Sequence, residues 1–196
     1  MYFEKDHIYH IYNMGNNSTE IFFKEENYLF FLRKIRSEIK PTAEILAYCL
    51  MPNHFHLMLL ATAKSCETNK HGIQFLARKL GTLLSSYTQA INKQQNTVGS
   101  LFRQKTKAKD LREYITYPKI KDDYTKTCFF YIHNNPVEAQ LADKAQYWKY
   151  SSFADFCDLR KGTLCNKALA LDIIGIEKGS LYLNINKNYS NVNNIW

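Results

Sequence analysis

The chain has 196 residues, 45% of them hydrophobic, and its 26 Lys and Arg outweigh 18 Asp and Glu to give a net charge of +8. That content is that of a globular protein with one full core and an appendage, and it argues against disorder over most of the chain. No run approaches the ~18 apolar residues that a membrane-spanning helix needs, and the start Met1-Tyr2-Phe3-Glu4-Lys5-Asp6 lacks a signal-peptide pattern, so the expected compartment is the cytoplasm.

In chain order, His7 to Asn13 (HIYHIYN) reads as a strand and Gly15 to Ser18 as the turn after it. Lys24 to Lys40 carries Tyr28, Leu29, Phe31, Leu32, Ile35 and Ile39 at helical spacing, stopped by Pro41. Glu44 to Met51 and His54 to Leu60 form two apolar strands around Pro52-Asn53, a hairpin. A long helix follows from Ile73 to about Lys93, with Leu76, Leu80, Leu83, Leu84, Tyr87 and Ile91 along one side, and a strand from Leu101 to about Lys109.

This β-α-β-β-α-β order predicts an α+β, ferredoxin-like antiparallel sheet with two helices on one face and the other face available for a ligand. Beyond Leu111, Lys121 to about Ala139 reads as a third helix interrupted near Pro136, and Tyr147, Trp148, Tyr150 and Phe153 supply apolar surface to pack back. The predicted division is residues 1–112 as the ferredoxin-like domain, 113–186 as a helical extension packed on it, and 187–196 as a loose Asn-rich tail. Five cysteines without CxxC spacing read as reduced thiols, which makes Cys-zinc chemistry and a disulfide framework poor fits.

His54-Phe55-His56 is the most informative string. Alternation along a strand projects both histidines from one face and sends Phe55 the other way into the core. The pair reads either as a two-ligand site for a divalent metal or as imidazoles on a solvated sheet face, and spacing alone leaves both open.

Charge is concentrated from Ile73 to Arg112, where Arg78, Lys79, Lys93, Arg103, Lys105, Lys107, Lys109 and Arg112 face only Asp110. A solvated surface would explain scattered cations, but the alternation Arg103, Lys105, Lys107, Lys109 lines one face of an extended segment. That favours a nucleic-acid backbone, with Arg103, Lys105 and Lys107 as the expected contacts.

Tyr87 sits in the second long helix among Ser85, Ser86, Thr88 and Gln89. In the predicted topology that helix covers the histidine strand, which would bring the hydroxyl to a metal-bound phosphate. The alternative is a packing residue. A phenol with pKa near 10 is a weak nucleophile and needs a cation beside it.

The strings MPNHFHLMLL, SSYTQAIN, GSLFRQKTKAK, YIHNNPVEAQL and WKYSSF together resemble the single-tyrosine HUH transposases (histidine, hydrophobic residue, histidine), especially the REP-associated tyrosine transposase branch, over roughly His7 to Phe156. The resemblance implies an enzyme that cuts and rejoins single-stranded DNA with hairpin or palindromic ends. His54 and His56 would hold Mg²⁺ or Mn²⁺ against the scissile phosphate, and Tyr87 would attack to leave a 5′-phosphotyrosine and a free 3′-hydroxyl. Related enzymes place a third polar ligand about one turn after the tyrosine. Here that position is Ile91, and Asn92 is the nearest candidate. Insertion-sequence relatives act as homodimers with the tyrosine helix exchanged between active sites, whereas the longer branch can act as a monomer, so the resemblance leaves both a homodimer and a monomer open. Two other functions compete: a rolling-circle initiator or relaxase, whose usual paired tyrosines and larger chain are missing, and a non-catalytic module that grips single-stranded nucleic acid.

Overall fold

The computed structural model describes residues 1–111 and 121–185. The expected tail at 187–196, the cation Arg112 and the division between 112 and 113 lie outside the described residues.

Strand β1 (Ile8–Met14) leads through a tight loop into α1 (Glu25–Lys34), whose Glu25 and Glu26 at the start and Arg33 and Lys34 at the end match the helix dipole. A π turn at Ile35–Ile39 carries the chain into β2 (Ala43–Met51). The two-residue Pro52-Asn53 turn then starts β3 (His54–Ala61). A short α2 (Ala63–Cys66) precedes the long α3 (Phe75–Gln95), which ends at Asn96 in the left-handed region. Strand β4 (Lys107–Asp110) completes an antiparallel sheet of order β2-β3-β1-β4, as the ferredoxin-like reading requires.

Strand β4 is shorter than predicted. The Arg103 N–H donates to the Met14 carbonyl at 2.9 Å, and the Asn13 amide donates to the Arg103 carbonyl at 3.1 Å and the Thr106 hydroxyl at 2.9 Å. These bonds hold residues 103–106 as a loop, so Arg103 and Lys105 leave the alternation and only Lys107 and Lys109 share a strand face.

Side-chain alternation sorts the sheet into two faces. Tyr9, Ile11, Phe55, Leu57 and Leu59 pack with Phe31, Leu80, Leu83 and Tyr87 of α1 and α3. The opposite face is not open as expected. Helix α4 (Lys121–Glu138) covers it, supported by α5 (Phe153–Phe156), α6 (Lys167–Ile174) and α7 (Leu181–Ile185). The cause is apolar: Cys49, Met51 and Met58 point that way, and a bulge between Ile45 and Ala47 sends both Leu46 and Ala47 there as well.

The C-terminal part also closes the exposed edge of β2. Leu50 N–H donates to the Tyr150 carbonyl and Ser152 N–H to the Tyr48 carbonyl, each at 3.0 Å, while the Trp148 indole donates to the Leu50 carbonyl at 2.9 Å. Tyr28 and Tyr150 stack with centroids 3.7 Å apart. The strings YIHNNP and WKYSSF meet where His133 Nε2 and Ser152 Oγ lie 2.7 Å apart. Protecting an edge strand in this way removes a template for aggregation. No helix among the described residues is long and apolar enough to cross a membrane.

Candidate active site

The loop after β1 braces the turn that starts the histidine strand. Ile21 and Phe22 N–H groups both donate to the Pro52 carbonyl, and Gly15 N–H donates to the Asn53 carbonyl at 2.8 Å. A Cβ at Gly15 would stand 2.1 Å from the Thr19 carbonyl oxygen, so the close loop requires glycine there. Asn53 Oδ1 lies 2.6 Å from His54 Nδ1, and its Nδ2 donates to the Ser18 carbonyl at 3.3 Å. With the amide oxygen as acceptor, His54 carries its hydrogen on Nδ1 and presents the Nε2 lone pair.

His54 and His56 face α4 together, with ring centroids 4.9 Å apart. Across the ladder His56 stands opposite Tyr12 on one side and Cys49 on the other. Lys107 stands opposite Tyr12 and Lys109 opposite His10, so two cations border the histidine face.

Helix α4 adds two groups one turn apart, the spacing that puts side chains on one face. Tyr131 meets His56 edge-on at 5.7 Å and His10 at 6.3 Å between centroids. Asn135 donates its Nδ2 to the Tyr131 backbone carbonyl at 2.8 Å, and its side chain is close enough to His54 and His56 to favour their protonated forms. The whole cluster is buried, with Tyr131 at 7% exposure and His56 at 0%.

Burial sets the charge states. His54 is pushed down to about 4 by desolvation, against the opposing Asn135 hydrogen bond. His10 is pushed down to about 3 by desolvation and then by Lys109. Desolvation, helped by His10 and His54, holds His56 well below the usual imidazole range. All three are neutral near pH 7, the form in which imidazole ligates metal. The Tyr131 phenol is pushed up by burial, with the Asn135 hydrogen bond opposing.

Tyr87 is elsewhere. It is fully buried between Phe31, Phe22 and Phe102, and its hydroxyl donates to the Ile21 carbonyl at 2.7 Å. It lies on the Phe55 side of the sheet, so the sheet itself separates it from both imidazoles. The expectation that Tyr87 reaches a phosphate at His54 and His56 is therefore corrected. Asn92 is displaced with it: its amide donates to the Gly99 carbonyl at 2.9 Å and accepts from Thr97 at 3.2 Å, fastening the end of α3. Arg103 and Lys105 are exposed in the loop before β4, where Arg103 borders an open cleft of about 450 Å³ against α3. Of the three expected DNA contacts, Lys107 alone lies on the histidine face.

The chain shares the fold of a REP-associated tyrosine transposase. A solved structure of that enzyme, bound to a REP hairpin, superposes with a TM-score of 0.55 at 17% identity, over 82% of this chain and 84% of that one. No protein-family model and no curated protein matches the sequence. The residues that sequence reasoning missed are Tyr131, Asn135 and His10. For the first two a signal was present, because Tyr131 and Asn135 have the one-turn spacing that Tyr87 and Ile91 fail.

Among the described residues no group of three or more His, Cys, Asp or Glu side chains is arranged to hold a metal ion. Two neutral imidazoles, one amide oxygen and water nevertheless make a donor set suited to Mg²⁺ or Mn²⁺. His54, His56 and Asn135 fit that role.

Proposed function

We propose that the protein is a transposase that cleaves and rejoins single-stranded DNA at hairpin-bearing ends, with Tyr131 as the nucleophile. One observation carries this reading: Tyr131 and Asn135, a turn apart on α4, pack against the sheet face that bears His54 and His56. The shared fold with a transposase solved on a REP hairpin supports the substrate class.

His54, His56 and Asn135 would hold Mg²⁺ or Mn²⁺, which supplies positive charge to the scissile phosphate and favours phenolate. Tyr131 attacks phosphorus, forming the P–O bond to its phenolic oxygen as the bond to the 3′ oxygen breaks. Its proton passes to solvent and the leaving 3′ oxygen takes one up. The product is a 5′-phosphotyrosine and a free 3′-hydroxyl, and attack by a 3′-hydroxyl reverses the step without ATP. Lys107 and Lys109 border the site and bind flanking phosphates, with Lys105 and Arg103 continuing the path along the loop. Because His56 is fully buried, this reading requires the site to open before a phosphate enters.

Incubating the protein with labelled hairpin DNA and Mn²⁺ tests this. We expect a denaturant-stable adduct that Tyr131→Phe abolishes and Tyr87→Phe retains. An adduct that survives Tyr131→Phe overturns the assignment, and Tyr12→Phe is then the next variant.

Burial of the entire cluster favours one second reading, a non-catalytic module derived from such an enzyme. Hairpin binding unchanged by EDTA and by His54→Ala, with no adduct under any condition, would establish it.

A further inference from the structure

His10 and His56 lie on one sheet face, on neighbouring strands, with His10 Nε2 2.9 Å from His56 Nδ1 and ring centroids 5.0 Å apart. Both are fully buried. A single hydrogen bridges the two nitrogens, and its owner decides what His56 shows to the site. If His10 donates, neutral His56 carries its own hydrogen on Nε2, which closes that atom to a metal. If His56 donates from Nδ1, Nε2 keeps its lone pair.

We propose that His10 is a positioning residue that accepts the Nδ1–H of His56 and thereby holds the His56 Nε2 lone pair toward the divalent ion. The inference rests on reading His54, His56 and Asn135 as the metal site. No proton is gained or lost: both rings stay neutral, and His10 keeps its hydrogen on Nδ1. One feature of the geometry agrees. Asn53 performs the same task for His54, its Oδ1 lying 2.6 Å from the His54 Nδ1. Metal-ligating imidazoles ordinarily donate their other N–H to such a partner, and loss of that partner typically weakens metal affinity by about 10- to 100-fold.

The test compares Mn²⁺ affinity by calorimetry in the full-length chain for His10→Leu, which fills the space without accepting, and His10→Gln, whose amide oxygen can accept. Leucine should weaken affinity by at least about tenfold, and glutamine should restore most of it. Equal affinities for the two variants, or a leucine variant that binds as well as the unaltered protein, would overturn the role of His10 while leaving the metal site intact. Absence of Mn²⁺ binding in the unaltered protein would instead sink the metal site on which the inference rests.

A second measurement needs no variant. Two-bond ¹⁵N–¹H correlation spectra of the unaltered protein with diamagnetic Mg²⁺ should show His56 protonated at Nδ1 and not at Nε2. An Nε2-protonated His56 in the Mg²⁺ complex would contradict the proposal.

Discussion

Tyr131 and Asn135 form one unit on α4: the Asn135 amide nitrogen donates to the Tyr131 carbonyl at 2.8 Å, and the same side chain stands beside the two imidazoles that the Tyr131 ring borders. A helix turn therefore sets the phenol and the amide together.

Asn135→Leu removes the amide oxygen at constant size. Mn²⁺ affinity should fall by at least about tenfold, as expected when an oxygen ligand is lost, whereas Asn135→Asp should bind Mn²⁺ at least as tightly because a carboxylate replaces a neutral donor. Calorimetric titration of the two variants is the check. Comparable losses in both would place Asn135 outside the metal shell.

Tyr87→Phe leaves the buried Ile21 carbonyl without its donor. Urea unfolding should show a destabilisation of about 1 to 2 kcal/mol, the usual cost of one unsatisfied buried group. A Tyr87→Phe protein as stable as the parent would mean that the phenol is no part of the core bonding.

Ser152→Ala strips a hydroxyl that accepts the Tyr48 N–H at 3.0 Å and pairs with His133 Nε2 at 2.7 Å. Both partners are buried, so a loss of about 2 to 4 kcal/mol is expected from two unmet groups. Because this contact joins α4 to β2, hydrogen exchange should accelerate in α4 and the edge of β2 before it does in α3.

Acid should destabilise the fold through His133, which desolvation among Phe129, Phe153 and Phe156 pushes down to about 3. An unfolded imidazole titrates near 6.5, so between that value and about 3 the unfolded state binds the extra proton. Stability is present above the unfolded value and falls with pH by about 1.4 kcal/mol per unit per such histidine. His10 contributes in the same direction. Urea midpoints measured from pH 7 to pH 5 should fall, and His133→Gln should flatten the slope by roughly one histidine's share.

Lys107→Ala should weaken hairpin DNA binding at low salt and reduce the slope of log affinity against log salt by about 1, the signature of one lost phosphate contact. Filter binding between low and moderate salt reads both quantities. An unchanged slope would remove Lys107 from the DNA path.

Much of the scaffold was legible from local pattern. Period-two runs in HIYHIYN and HFHLML, the Pro52-Asn53 turn and the spacing of Leu76, Leu80, Leu83 and Ile91 were enough for the β-α-β-β-α-β order. Alternation alone places His54 and His56 on one face and Phe55 on the other, and this holds. Carried one step further, the same rule separates Tyr87 from the histidines, because a helix that packs on Phe55 cannot also reach the far side of the sheet.

What the chain itself determined is therefore the order of its elements and the shared face of the two imidazoles, since both follow from side-chain periodicity within a few residues. Which tyrosine joins them was decided only in three dimensions. Tyr131, Asn135 and His10 come from segments 46 to 79 residues away from His56, and no local period links such distant positions. Packing chose among the chain's 14 tyrosines: the apolar face made by Leu46, Ala47, Met51 and Met58 draws α4 down, and its one-turn spacing delivers a phenol and an amide to the imidazoles together.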